Sequence, residues 1–83
     1  MTRDELRRAL LECLGRIAPE VETGSLDPRQ RLRDQVDLDS VDWMNFLVAV
    51  HAAINVDIPD VEAARLTTLD QLLDYCGRRL GIT

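Results

Sequence analysis

Three aspartates, Asp37, Asp39 and Asp42, crowd around the hydroxyl of Ser40 just ahead of the most apolar helical pattern in the chain. Asp39 has the chemistry of a helix N-cap, and Asp42, three positions on, completes an acidic version of a capping box. Ser40 then falls in the first turn, its hydroxyl beside backbone N–H groups that have no partner within the helix. A phosphate joined to that oxygen would feel the positive end of the helix dipole. The neighbouring carboxylates argue against a free anion site, but they suit a surface that a basic enzyme must find.

Other chemistries fail on spacing. Ser40 has no neighbouring base, and His51, the only histidine, lies three turns along the same helical pattern. The run Asp37-x-Asp39-x-x-Asp42 is not a calcium loop: its third carboxylate comes one place late, and the glycine and distal glutamate are missing. Asp37-x-Asp39-x-Val41 is also similar to the aspartyl-nucleophile motif of haloacid-dehalogenase-type phosphatases. That motif follows a buried strand in a much larger α/β domain than this chain can build. No glycine-rich phosphate loop is present, and neither Cys13 nor Cys76 has His or Cys neighbours at metal-ligand spacing. No catalytic residue and no metal site are assigned, and the chain is read as a non-enzyme.

Asp39-Ser40-Val41 followed by Asp42 resembles the Asp-Ser-Leu-Asp signature of the acyl carrier protein family, the phosphopantetheine-binding carrier domains. The likeness continues through Ile58-Pro59-Asp60, Ala64-Arg65-Leu66-Thr67-Thr68-Leu69 and Leu73-Asp74-Tyr75, in the same order and spacing across most of the chain. The resemblance implies 4′-phosphopantetheine esterified to Ser40, with acyl groups held as thioesters on its terminal thiol. It implies as partners a Mg²⁺-dependent phosphopantetheinyl transferase of the holo-ACP synthase type, and acyl-transferring or ketosynthase-type enzymes. Asp39 and Asp42 would help the transferase dock. Asn45, His51, Ala52 and Ala53 stand where carriers of fatty-acid synthesis often have glutamates, and Leu38, after Asp37, stands where glycine is frequent. These departures point to a dedicated lipid-modifying or polyketide-like pathway rather than housekeeping fatty-acid synthesis. The Gly-Gly-His-Ser pattern of peptidyl carriers is missing. The rival from another class is an unmodified helical interaction module with the same fold.

With 83 residues the chain suffices for one small domain, residues 1–83, whose core needs most of the apolar side chains. A net charge of −5 argues against nucleic acid as a partner. From Asp34 to Ala64 there are seven acids and no Lys or Arg, so the deficit lies around Ser40. Such a one-signed field steers basic partners to one face. The N-terminus carries no signal-like apolar region and no run approaches a membrane span, so a soluble, cytoplasmic monomer is expected. Cys13 and Cys76 fall on apolar stripes and read as reduced, core-packed thiols.

The elements that must position Ser40 follow from periodicity. Thr2 to Ile17 predicts an amphipathic helix with Leu6, Leu10, Cys13, Leu14 and Ile17 inward, a Thr2/Glu5 capping box, and Pro19 beyond its end. Pro19 to Asp39 is a long connection pinned by Val21, Leu26, Leu32, Val36 and Leu38, with one helical turn expected within Pro28–Arg33. Ser40 to Ile54 is the central helix, with Trp43, Phe46, Leu47, Val50 and Ile54 on one face. Val41, Met44 and Val48 fall on the opposite face beside Asn45 and form a docking stripe running away from Ser40. Trp43 is expected to pack, and would narrow any space into which an acyl chain folds back. His51 is assigned no chemistry. Asp60 to Arg65 predicts a short helix. A last helix follows, capped by Thr67 with Asp70, burying Leu69, Leu72, Leu73, Cys76 and Leu80, and frayed at Gly77. The expected fold is all-α: a small four-helix bundle of three longer helices and one short one, with a long first loop.

Overall fold

The computed structural model describes residues 1–82, and among them the secondary structure is helical, with no strand beyond one isolated β-bridge. Helix α1 spans Arg3–Ile17, α2 Leu32–Gln35, α3 Ser40–Ile54, α4 Asp60–Ala63 and α5 Leu69–Leu80, with a 3₁₀ turn at Thr23–Ser25. Three long helices and short connecting ones make up the expected bundle.

Each long helix starts on a reciprocal cap. In α1 the Glu5 N–H donates to Thr2 Oγ1 at 3.1 Å, and the Thr2 N–H donates to Glu5 Oε1 at 2.8 Å. The Thr2 backbone bond holds the Glu5 carboxyl below its ordinary range. Helix α1 packs across α3 and α5, and the core between them is built from Leu6, Leu10 and Leu14, Phe46, Val50 and Ile54, and Leu69, Leu72 and Cys76. Cys13 and Cys76 are free and buried, as their stripes required.

The long first loop is pinned by the buried side chains of Leu26, Leu32, Val36 and Leu38, with Val21 half-buried. Its backbone is also bonded across the molecule. The Leu32 N–H donates to the Thr67 carbonyl at 2.9 Å, the Asp70 N–H donates to the Pro28 carbonyl at 3.0 Å, and Arg31 bridges Thr68. Each of these satisfies a backbone group that the short helical turns of the connection leave unpaired.

That tie explains where the elements depart from their sequence-based bounds. The helical turn of the loop falls at Leu32–Gln35, after the bridge. Helix α5 starts one residue late: Thr68 is the N-cap and Gln71 its partner, because Thr67 is held extended by the bond from Leu32. Helix α4 ends at Ala63, with Ala64 and Arg65 in a closing turn. Gly77 does not fray. It is buried at the close approach of α1, where an added Cβ would meet the Ile82 carbonyl oxygen at 3.1 Å and Leu6 Cδ2 at 3.9 Å. The end of α5 is closed by Gly81 at φ 75° and by an Ile82 N–H bond to the Gly77 carbonyl at 2.7 Å. Leu80 therefore lies past the packed stripe and is exposed.

Candidate functional site

The backbone turns into α3 at Asp39, which is extended at φ −80° and ψ −179°, and Ser40 is the first helical residue. The Asp42 N–H donates to Asp39 Oδ1 at 2.8 Å, and the Asp39 N–H donates back to Asp42 Oδ2 at 3.3 Å. The acidic capping box expected from spacing is formed. Both carboxylates are held by the backbone on either side of Ser40, and Ser40 itself is exposed. Its hydroxyl stands at the positive end of a four-turn helix, open to a macromolecular reagent.

Two features lead away from that hydroxyl. One is the stripe formed by Val41, Met44 and Val48, each more than 60% exposed. The central helix is thus apolar on two sides, and only the Phe46, Val50, Ile54 side is covered by the bundle. Asn45 is exposed beside the stripe. Val61, at 68% exposed on α4, is a further apolar side chain in water that periodicity did not single out.

The other is a groove of about 470 Å³ that begins at Ser40. Trp43, Met44 and Leu47 line it from α3, and Asp60, Ala63 and Ala64 from α4. Arg31, Arg33 and Thr67 complete the wall. Trp43 is half-buried and stacks at a tilt on Phe46, with ring centroids 5.3 Å apart, so it is both core packing and groove wall. From Ser40 to Leu47 the helix rises about 10 Å, which is the reach of the groove along α3. Sequence reasoning did not single out Arg31 or Arg33, which belong to the long first loop and its helical turn. The one available signal was their position immediately before an acid-only stretch.

His51 lies on the surface near the end of α3, its Nδ1 3.7 Å from Asp57 Oδ1, far from Ser40. The protein's own thiols are no substitute for an attached one. Burial pushes the Cys13 thiol up and the Cys76 thiol up to about 11, so both stay protonated and inert at neutral pH.

An exposed serine opening an acid-flanked helix, within a small helical bundle and beside an apolar groove, is the arrangement of a carrier domain. Residues 5–76 match the family described as "Phosphopantetheine attachment site", and the chain belongs to that family. It is 28% identical over 75 residues to the acyl carrier protein of Acidothermus cellulolyticus, covering 90% of this chain and 88% of that protein. It is 29% identical over 55 residues to the acyl carrier protein of Rubrobacter xylanophilus, covering 66% of this chain and 68% of that one. The prosthetic group of the family is covalent 4′-phosphopantetheine. The residues present suit it: an exposed hydroxyl for the ester, a helix N-terminus for its phosphate, and an apolar groove for the chain beyond.

Proposed function

We propose that Ser40 is the attachment residue and that the protein is an acyl carrier, modified by a phosphopantetheinyl transferase drawing on coenzyme A. The observation that carries this reading is the exposed Ser40 hydroxyl at the first position of α3, between two backbone-held carboxylates. When bound, the group supplies a terminal thiol on which acyl groups travel as thioesters. The chain contributes the address and the orientation. Asp39 and Asp42 present negative charge to a basic transferase, and Val41, Met44, Asn45 and Val48 supply the contact surface for it and for acyl-transferring or ketosynthase-type enzymes. Incubation with coenzyme A, Mg²⁺ and a promiscuous transferase should add the mass of one phosphopantetheinyl group, and Ser40→Ala should add none. An unmodified wild-type protein would instead support the interaction-module reading, and a gain in Ser40→Ala would move the site elsewhere.

The pathway is a dedicated one, on this reading. Asn45, His51, Ala52 and Ala53 are all exposed on α3, leaving the docking helix uncharged beyond its first turn apart from the histidine. Enzymes that recognise a fatty-acid carrier through a row of glutamates find few handles here. Equal KM values for the loaded protein and for a housekeeping carrier, measured with a fatty-acid malonyl transferase, would contradict the assignment to a separate pathway.

A further inference from the structure

The wall of the groove nearest Ser40 carries positive charge in a region that is otherwise negative. Asp39 and Asp42 cap the helix at Ser40 and Asp60 lines the groove, and no Lys or Arg occurs from residue 34 to residue 64. Arg33 reaches into this region from α2. Its Nε–H donates to the Leu38 carbonyl at 3.1 Å, two residues before Ser40, and the side chain lines the same groove as Ser40. That bond uses one of the five guanidinium donors. Among the described residues the other four have no hydrogen-bond partner, and no carboxylate lies within ion-pair distance of Arg33. Arg31, on the same wall, already faces Asp34 at 3.9 Å. A guanidinium oriented through its Nε while its terminal N–H groups stay open is suited to a two-pronged bond with phosphate oxygens.

A phosphodiester on Ser40 adds a negative charge between carboxylates that already repel it, and Arg33 is the cation placed to offset that. We infer, resting on the assignment of Ser40 above, that Arg33 is a positioning residue. It pairs with the phosphodiester of the attached group and directs the remainder along the groove over Trp43 and Leu47, away from free solution. The beginning of the arm is then held by charge and its continuation by apolar contact with Trp43, Met44, Ala63 and Ala64. The held state is set by ionic strength: the screening length falls from about 30 Å at 0.01 M salt to about 3 Å at 1 M.

Trp43 is the only tryptophan, so its fluorescence reports the groove directly. Acrylamide quenching is measured on the unloaded and loaded forms of wild type, Arg33→Gln, Arg33→Lys and Arg31→Gln, at low salt and at 1 M salt. Loading should protect Trp43 about twofold in wild type at low salt, as expected if a charge-assisted pair holds the arm. Protection should vanish in Arg33→Gln, return in part in Arg33→Lys, and persist in Arg31→Gln. The ³¹P resonance of loaded wild type should shift with salt, and that of Arg33→Gln should not. Wild-type protection that survives 1 M salt would overturn the pairing even if a variant misfolded. So would full protection in a folded, loaded Arg33→Gln. Failure of Ser40 to gain mass would overturn the attachment assignment with it, whereas a loaded protein with unchanged quenching overturns the pairing alone.

Discussion

Asp39 caps α3 and, on the proposed reading, also presents charge to a transferase; two substitutions separate these roles. Asp39→Ala removes the 2.8 Å bond from the Asp42 N–H and leaves that donor to water. Losing an N-cap side chain costs about 1 kcal/mol, and removing a carboxylate from a helix N-terminus costs about 0.3–1 kcal/mol more. Asp39→Asn keeps an acceptor in the same place and forfeits only the charge. The expected losses are therefore about 1.5 kcal/mol for Ala and about 0.5 kcal/mol for Asn, read by urea denaturation with an unchanged slope. For a domain of this size, Ala should lower Tm by roughly 6–12 °C, at about 4–8 °C per kcal/mol. Both variants stay folded, since a chain of 83 residues holds about 4–12 kcal/mol in reserve. Transferase loading, followed by intact mass, should slow alike in both, because charge and not the cap steers a basic enzyme. Equal stability of the two variants would refute the capping argument. Wild-type loading by Asp39→Asn at low salt would refute the electrostatic one.

Val48→Glu, at a position 63% exposed, should change stability by no more than about 0.5 kcal/mol while raising the transferase KM several-fold; an unchanged KM would remove Val48 from the docking surface. In the loaded native protein Ellman's reagent should titrate one thiol, that of the arm, and reach Cys13 and Cys76 only after denaturation. Burial raises the folded-state pKa of Cys76 from 9.0 to about 11, so the folded state holds this proton more tightly than the unfolded one. The associated stability is complete below pH 9 and lost as pH rises toward 11, with about 1.4 kcal/mol gone by pH 10. Urea midpoints of wild type and Cys76→Ala should converge by that amount over this range, and parallel curves would contradict the burial effect.

Much of the candidate site was legible from local spacing. The Asp39/Asp42 cap joins residues three apart, and the helix that follows declares itself by apolar side chains every three or four positions, so Ser40 could be placed at a helix N-terminus before any fold was known. The caps of α1 and α3 matched because nothing outside the turn competes for them. The cap of α5 did not, because a residue 35 positions away, Leu32, takes the Thr67 carbonyl and shifts the start to Thr68. Gly77 misled for a related reason. Low helix propensity predicts fraying, whereas a close approach by Leu6 and a terminal hydrogen bond hold the glycine inside the helix.

What the chain determines by itself is everything whose partners are near in sequence: where the long helices lie, how α3 begins, and which hydroxyl opens it. A helix apolar on two sides does not say which side meets water. That was decided when α1 packed against α3 and the core closed over Phe46, Val50 and Ile54, leaving Val41, Met44 and Val48 outside. The groove likewise exists only because α2, α3 and α4 converge, bringing Arg33 within reach of Leu38 and the mouth at Ser40. Short-range patterns are set by backbone geometry; exposure and charge pairing depend on which segments the folded core brings together.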